Sequence, residues 1–142
     1  MGKRKRLEAY EKPVRYLRDM HKGDYVYDYR GDYCYVDIDP DYPDSYILRS
    51  WGTESWQNPT SVVYLPTLAV KRIMDKIQDL KKRYWEARMT NSIFENEINE
   101  TLHEIMTLEN DDDGSKETEL WNKLENDYKT RLNAAKVLHL TR

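Results

Sequence analysis

Cysteine is almost missing from this chain: Cys34 is the only one among 142 residues. A lone thiol excludes an internal disulfide and a zinc cluster built on paired cysteines, and it suits a reducing, cytoplasmic interior. Phenylalanine is equally scarce, with Phe94 alone. No apolar run approaches the ~18 residues of a membrane span, so no membrane partner is expected. The basic N-terminus has no apolar stretch behind it, so it does not read as a secretory signal. Arg6 stands where a myristoylation motif requires Ser or Thr. The five glycines match no phosphate or dinucleotide loop, and no serine sits in a Gly-x-Ser-x-Gly elbow. His21, His103 and His139 are far apart in sequence. Glu100, His103 and Glu104 share a helical turn, but the next turn offers Thr107 instead of the second histidine of a zinc helix. No catalytic centre, metal or cofactor is expected, and the chain reads as a binding protein rather than an enzyme.

The scarce helix breakers are also unevenly placed. Pro13, Pro40, Pro43, Pro59 and Pro66 all lie in the first 66 residues, and beyond them only Gly114 represents glycine. Proline breaks helix interiors and glycine weakens them. Strands and turns are therefore expected first and helices afterwards, an α+β fold. The divisions are a basic segment at 1–21, a β domain at 22–66 and a helical segment at 67–142.

What is abundant is tyrosine and segregated charge. Twelve tyrosines and four tryptophans suit half-buried positions and contact surfaces alike. Residues 23–46 carry seven acidic and one basic residue, 67–90 seven basic and three acidic, and 91–119 ten acidic and one basic. Such blocks favour docking between elements or with a charged partner.

Two alternating runs, Asp24–Tyr29 and Asp32–Asp39, flank Arg30-Gly31 and predict a hairpin. A two-residue loop would pair Tyr29 with Asp32, Tyr27 with Cys34 and Tyr25 with Val36. One face then holds Tyr25, Tyr27, Tyr29, Cys34, Val36 and Ile38 as core. The other holds Asp24, Val26, Asp28, Tyr33, Tyr35, Asp37 and Asp39. A three-residue loop would shift pairing by one and gather the five tyrosines on a common face. The two-residue loop is preferred because it separates aliphatics from carboxylates. Asp39–Asp44 reads as a turn, Tyr46–Trp51 as a third strand, Gly52–Thr60 as a loop and Ser61–Leu65 as a fourth strand.

Thr67 caps a helix to about Met89, with Leu68, Val70, Ile73, Met74, Ile77, Leu80 and Tyr84 as its apolar stripe. Ser92-x-x-Glu95 is a capping box for a second helix, about 91–108. Its stripe is Phe94, Ile98, Leu102, Ile105 and Met106. After the Glu109–Ser115 loop a third helix runs over about 116–140, with Leu120, Trp121, Leu124, Tyr128, Leu132, Ala135 and Leu138 inward. The first helix is basic and the second rich in glutamate, so antiparallel packing would set these surfaces side by side.

Gly23-Asp24-Tyr25-Val26 entering a strand, the tight hairpin at Arg30-Gly31 and the exit strand Val62-Val63-Tyr64-Leu65-Pro66 resemble an SH3-like small barrel over residues 22–66. The resemblance implies a four-stranded barrel and a binding scaffold, since such barrels, KOW and Tudor types included, bind peptides or nucleic acid.

The Tyr/Asp strand face is the leading candidate site. Asp24, Asp28, Asp37 and Asp39 would form a carboxylate ladder interleaved with Tyr33 and Tyr35 and bordered by Trp51 and Trp56. Such a surface would receive a protein partner with a basic surface, or imitate the phosphate track of nucleic acid. An ordinary charged sheet edge would carry the same residues. A second reading is nucleic-acid binding through the tail Lys3, Arg4, Lys5 and Arg6 and the helix residues Lys71, Arg72, Lys76, Lys81, Lys82, Arg83 and Arg88. A third is homo-oligomer formation through the helices at 67–89 and 116–140. Compact size and block charge suggest an accessory or inhibitory protein of viral or mobile-element type.

Overall fold

The computed structural model describes residues 12–140. Six strands form one antiparallel sheet: β1 (Val14–Tyr16), β2 (Tyr25–Tyr27), β3 (Tyr33–Asp39), β4 (Tyr42–Ser50), β5 (Thr53–Gln57) and β6 (Val62–Tyr64), in the spatial order β1-β6-β2-β3-β4-β5. Three helices follow, α1 (Leu68–Glu86), α2 (Ser92–Met106) and α3 (Ser115–Leu140). Residues 14–16, read from sequence as part of the basic segment, pair with β6.

The SH3-like expectation does not hold. The sheet has six strands instead of four, and it is open: β1 and β5 are its two edges and do not pair with each other. Three helices packed against one end of the sheet bury its apolar side chains there, where a barrel would curl its strands over themselves.

The hairpin register is the second correction. Tyr25 pairs with Tyr35, Val26 with Cys34 and Tyr27 with Tyr33, one residue away from the expected pairing. Asp28 sets this offset. Its Oδ1 accepts from the backbone N–H groups of Arg30 and Asp32, both at 2.9 Å, while its carbonyl accepts from Gly31. The loop therefore has three residues, Tyr29-Arg30-Gly31, and closes on Gly31 at φ +89°. A glycine in the left-handed region is what a three-residue hairpin loop with a bulge demands.

This register gives the sheet two unlike faces. Val26, Cys34, Val36, Leu48 and Val63 are buried on one, closed over by Leu17 from the short 3-10 turn Leu17–Asp19 and by Met20 and Tyr46. On the other face Val14, Tyr27, Val62 and Tyr64 pack against a core of Val70, Met74, Ile77, Leu80, Leu102 and Ile105 from α1 and α2. Leu124 of α3 is buried in the same core. The helix stripes read from the sequence are the ones that pack, except for Leu68 and Leu138, which are exposed.

The hairpin loop is wedged against the helices. Gln78 donates to the Gly31 carbonyl at 3.1 Å, and Lys81 Nζ donates to the Arg30 carbonyl and to Asn99 Oδ1, both at 2.7 Å. Arg30 pairs with Glu95, and the Tyr29 ring lies 5.6 Å from that of His103. The glutamates of α2 are thus met by Arg30 and, through Glu97, by Arg131 of α3. Arg83 of α1 reaches across to Glu125 of α3. The expected pairing of α1 lysines with α2 glutamates is replaced by these contacts.

Candidate binding surface

Strand alternation places Tyr25 and Tyr27 of β2, Tyr33, Tyr35 and Asp37 of β3, Ile47 and Arg49 of β4, and Glu54 and Trp56 of β5 on the helix-side face. The helices reach only the Tyr27 end of it. Beyond them Tyr25, Tyr33, Tyr35 and Trp56 remain 55%, 50%, 40% and 58% exposed. The tyrosines form one continuous cluster: Tyr25 stacks on Tyr33 with centroids 5.5 Å apart, meets Tyr35 at 6.1 Å, and Tyr33 meets Tyr27 at 5.1 Å. Cross-strand packing fixes the rings before any partner arrives.

The expected carboxylate ladder is not assembled. Asp37 shares the tyrosine face, but Asp24 and Asp28 sit at alternating positions with buried Val26, on the other side of β2. Asp28 is spent on the hairpin loop, and its partial burial raises its pKa against the pull of its backbone hydrogen bonds. Asp24 accepts from the His21 N–H, and Asp39 accepts from the Asp41 N–H within its own turn. Asp37 accepts from Arg49 Nε at 2.8 Å and lies 3.7 Å from Lys22, and the Arg49 hydrogen bond holds its carboxyl below the usual range. Arg49 in turn pairs with Glu54. The rim is a charge-balanced chain of ion pairs rather than an acidic track.

Tyr25, assigned to the core on the expected register, belongs instead to this surface. The signal was in the sequence, as the Asp28-to-Gly31 loop chemistry that sets the offset. Trp56, expected in a loop, lies in β5 opposite Ile47 on the same face. Trp51 occupies the β4–β5 turn, fully exposed, next to Ser50, whose hydroxyl donates to the Tyr33 carbonyl at 3.0 Å.

The patch runs into a groove of about 640 Å³ between the hairpin and α1, lined by Tyr27, Asp32, Tyr33, Leu68, Lys71 and Asp75. Lys71 bonds Asp75 at 2.8 Å, so the groove too holds a paired charge. Of the other candidate cations, Arg72 and Lys82 are exposed on α1, and Arg83 is bound by Glu125. Lys3, Arg4, Lys5 and Arg6 lie outside the described residues.

Cys34 is buried as expected, and desolvation with the nearby Asp28 and Asp32 charges pushes its thiol up to about 12. Among the described residues no three His, Cys, Asp or Glu side chains are grouped to hold a metal, and no helix is long and apolar enough to cross a membrane.

Comparison with protein-family models, with curated proteins and with solved structures finds no match to this chain. The expected viral or mobile-element character therefore has no relative to rest on, and it is withdrawn together with the SH3-like assignment.

Proposed function

We propose that the protein is a non-catalytic binding protein of the cytoplasm whose contact surface is the uncovered aromatic part of its sheet. The observation that carries this reading is the exposed cluster Tyr25–Tyr33–Tyr35, with exposed Trp56 on the same face across β4. Contiguous exposed aromatic surface is costly to leave in water and is characteristic of interaction sites. Tyrosine and tryptophan also supply large contact area at little conformational cost, and they dominate the affinity of protein interfaces.

The partner is a protein with a basic contact surface. Asp37, Glu54 and Asp75 are matched by Lys22, Arg49 and Lys71, so the negative excess comes from Asp32 in the groove and from Asp39, Asp41 and Asp44 where β3 passes into β4. The cations nearest the rings are ion-paired, which disfavours a phosphate backbone as ligand. Nucleic-acid binding, by contrast, draws on unpaired positive charge and weakens steeply with salt.

The test compares the immobilised full chain with a Tyr33→Thr/Tyr35→Thr variant, which keeps β-branched residues on the strand. Proteins retained by the parent at physiological salt and lost from the variant are expected. Identical retention by both would overturn the assignment of the surface. Elution of nucleic acid in place of protein, with strong salt dependence, would favour the other ligand.

A further inference from the structure

A second cavity, farther along α1 and sharing Gln78 with the tyrosine groove, has a different chemistry. It measures about 340 Å³ and lies between the end of α1 and the start of α2, within the ~300–1,000 Å³ typical of small-molecule sites. Its walls are apolar and aromatic: Tyr84 and Trp85 from α1, Met89 from the connecting loop, and Phe94 and Ile98 from α2. Lys81 and Lys82 also line it.

Lys81 is the unusual member. Its ammonium donates to two neutral oxygens, the Arg30 carbonyl and Asn99 Oδ1, each at 2.7 Å. An ammonium has three donors, so these bonds fix its position and leave one N–H uncommitted. The carboxylate lining this cavity, Glu95, is bonded to the Arg30 guanidinium instead. Desolvation lowers the Lys81 pKa although Glu95, Asp32 and Asp28 act to raise it. A half-buried cation bonded only to neutral oxygens is stabilised by any anion that brings its own apolar cover.

We propose that this cavity binds a small amphipathic anion, an aromatic carboxylate whose charged head meets Lys81 and Lys82 and whose ring lies among Trp85, Met89 and Phe94. Lys81 also holds the hairpin loop through the Arg30 carbonyl, so an occupant would touch the residue that anchors the tyrosine-bearing hairpin to α1. The cavity adjoins the tyrosine groove through Gln78, but the proposal does not rest on the partner surface above, and each has its own test.

The test uses the full chain carrying 13C-methyl methionine, with 2-naphthoate as probe. Met89 lines this cavity and Met74 the tyrosine groove, while Met106 and Met20 report on the helix core and the opposite sheet face. The Met89 methyl resonance is expected to shift saturably, with Met74, Met106 and Met20 unmoved. The neutral analogue 2-naphthylmethanol should bind at least ~10-fold more weakly, the loss of one charge-assisted contact. Lys81→Gln should lose binding by a similar factor. Lys82→Gln, at an exposed position away from the hairpin, should weaken binding several-fold without lowering Tm, and it decides the matter if Lys81→Gln does not fold. No saturable shift at Met89, equal shifts at Met74, or equal affinity for the neutral analogue would overturn the proposal.

Discussion

At the scale of single residues, Gly31 and Asp28 control more than their size suggests. A Cβ on Gly31 would come within 3.2 Å of Met74 Sδ and 3.3 Å of Gln78 Nε2, at a φ of +89°. Gly52 also has positive φ, but a Cβ there meets nothing within 4 Å. Gly31→Ala should therefore cost more than Gly52→Ala, the latter about 1 kcal/mol and the former about 2 kcal/mol or more. Equal losses in urea titrations would mean that the loop is not seated on α1. The Arg83–Glu125 pair gives a second residue-scale prediction. The Arg83 hydrogen bond lowers the Glu125 pKa below its ordinary 4.5, so the unfolded chain binds that proton more readily. The pair's stabilisation is complete above the unfolded value and fades as pH falls through the folded one. Both groups are partly exposed, so the contribution is at most about 1 kcal/mol. Glu125→Gln should lower stability at pH 7 and flatten the fall of urea midpoints below pH 4.5; an unchanged acid limb would contradict this.

At the scale of elements, α3 is started by a buried aspartate. Asp111 accepts from the N–H groups of Lys116 at 2.8 Å and Glu117 at 3.1 Å, one with each carboxylate oxygen. Asp111→Ala should cost about 1–2 kcal/mol, read by thermal melting, and a change below a few tenths would show the cap to be dispensable. Helices were the most legible elements in the sequence. The Thr67 cap is made, with Val70 N–H donating to its hydroxyl at 3.2 Å, and the spacing of apolar residues located the buried stripes. At α2 the cap is Asn91 rather than Ser92, because the Asn91 side chain takes the Phe94 N–H. β1 and β5 escaped notice for physical reasons. β1 has only three residues, and β5 (Thr-Glu-Ser-Trp-Gln) is an exposed edge strand, so neither carries the apolar alternation of a buried strand. β4 begins at Tyr42, four residues early, because Pro43, Asp44 and Ser45 bulge between the Asp39–Tyr42 and Ile38–Tyr46 pairs.

At the scale of the whole molecule, one sheet serves two cores and still leaves part of a face uncovered. Helices fill the end carrying Tyr64 and Tyr27, the 3-10 turn closes the opposite face, and the tyrosines at the β2–β3 centre stay in water. That Tyr33, Tyr35 and Asp37 share a face was legible because alternation along one strand holds whatever the register, whereas Trp56 was read in a loop and its face comes from the unexpected β5. The face of Tyr25 was not legible, because it depends on a one-residue offset set by side-chain hydrogen bonding within a loop. Val26→Ala should cost about 2 kcal/mol as a core truncation, and Tyr33→Thr under about 1 kcal/mol; the reverse order in urea titrations would place the tyrosines inside. Hα–Hα nuclear Overhauser contacts read the register itself. The fold predicts cross-peaks linking Tyr27 with Tyr33 and Tyr25 with Tyr35, its non-hydrogen-bonded pairs, whereas cross-peaks from Asp28 to Tyr33 and from Val26 to Tyr35, the corresponding pairs of a two-residue loop, would contradict it and dissolve the aromatic surface.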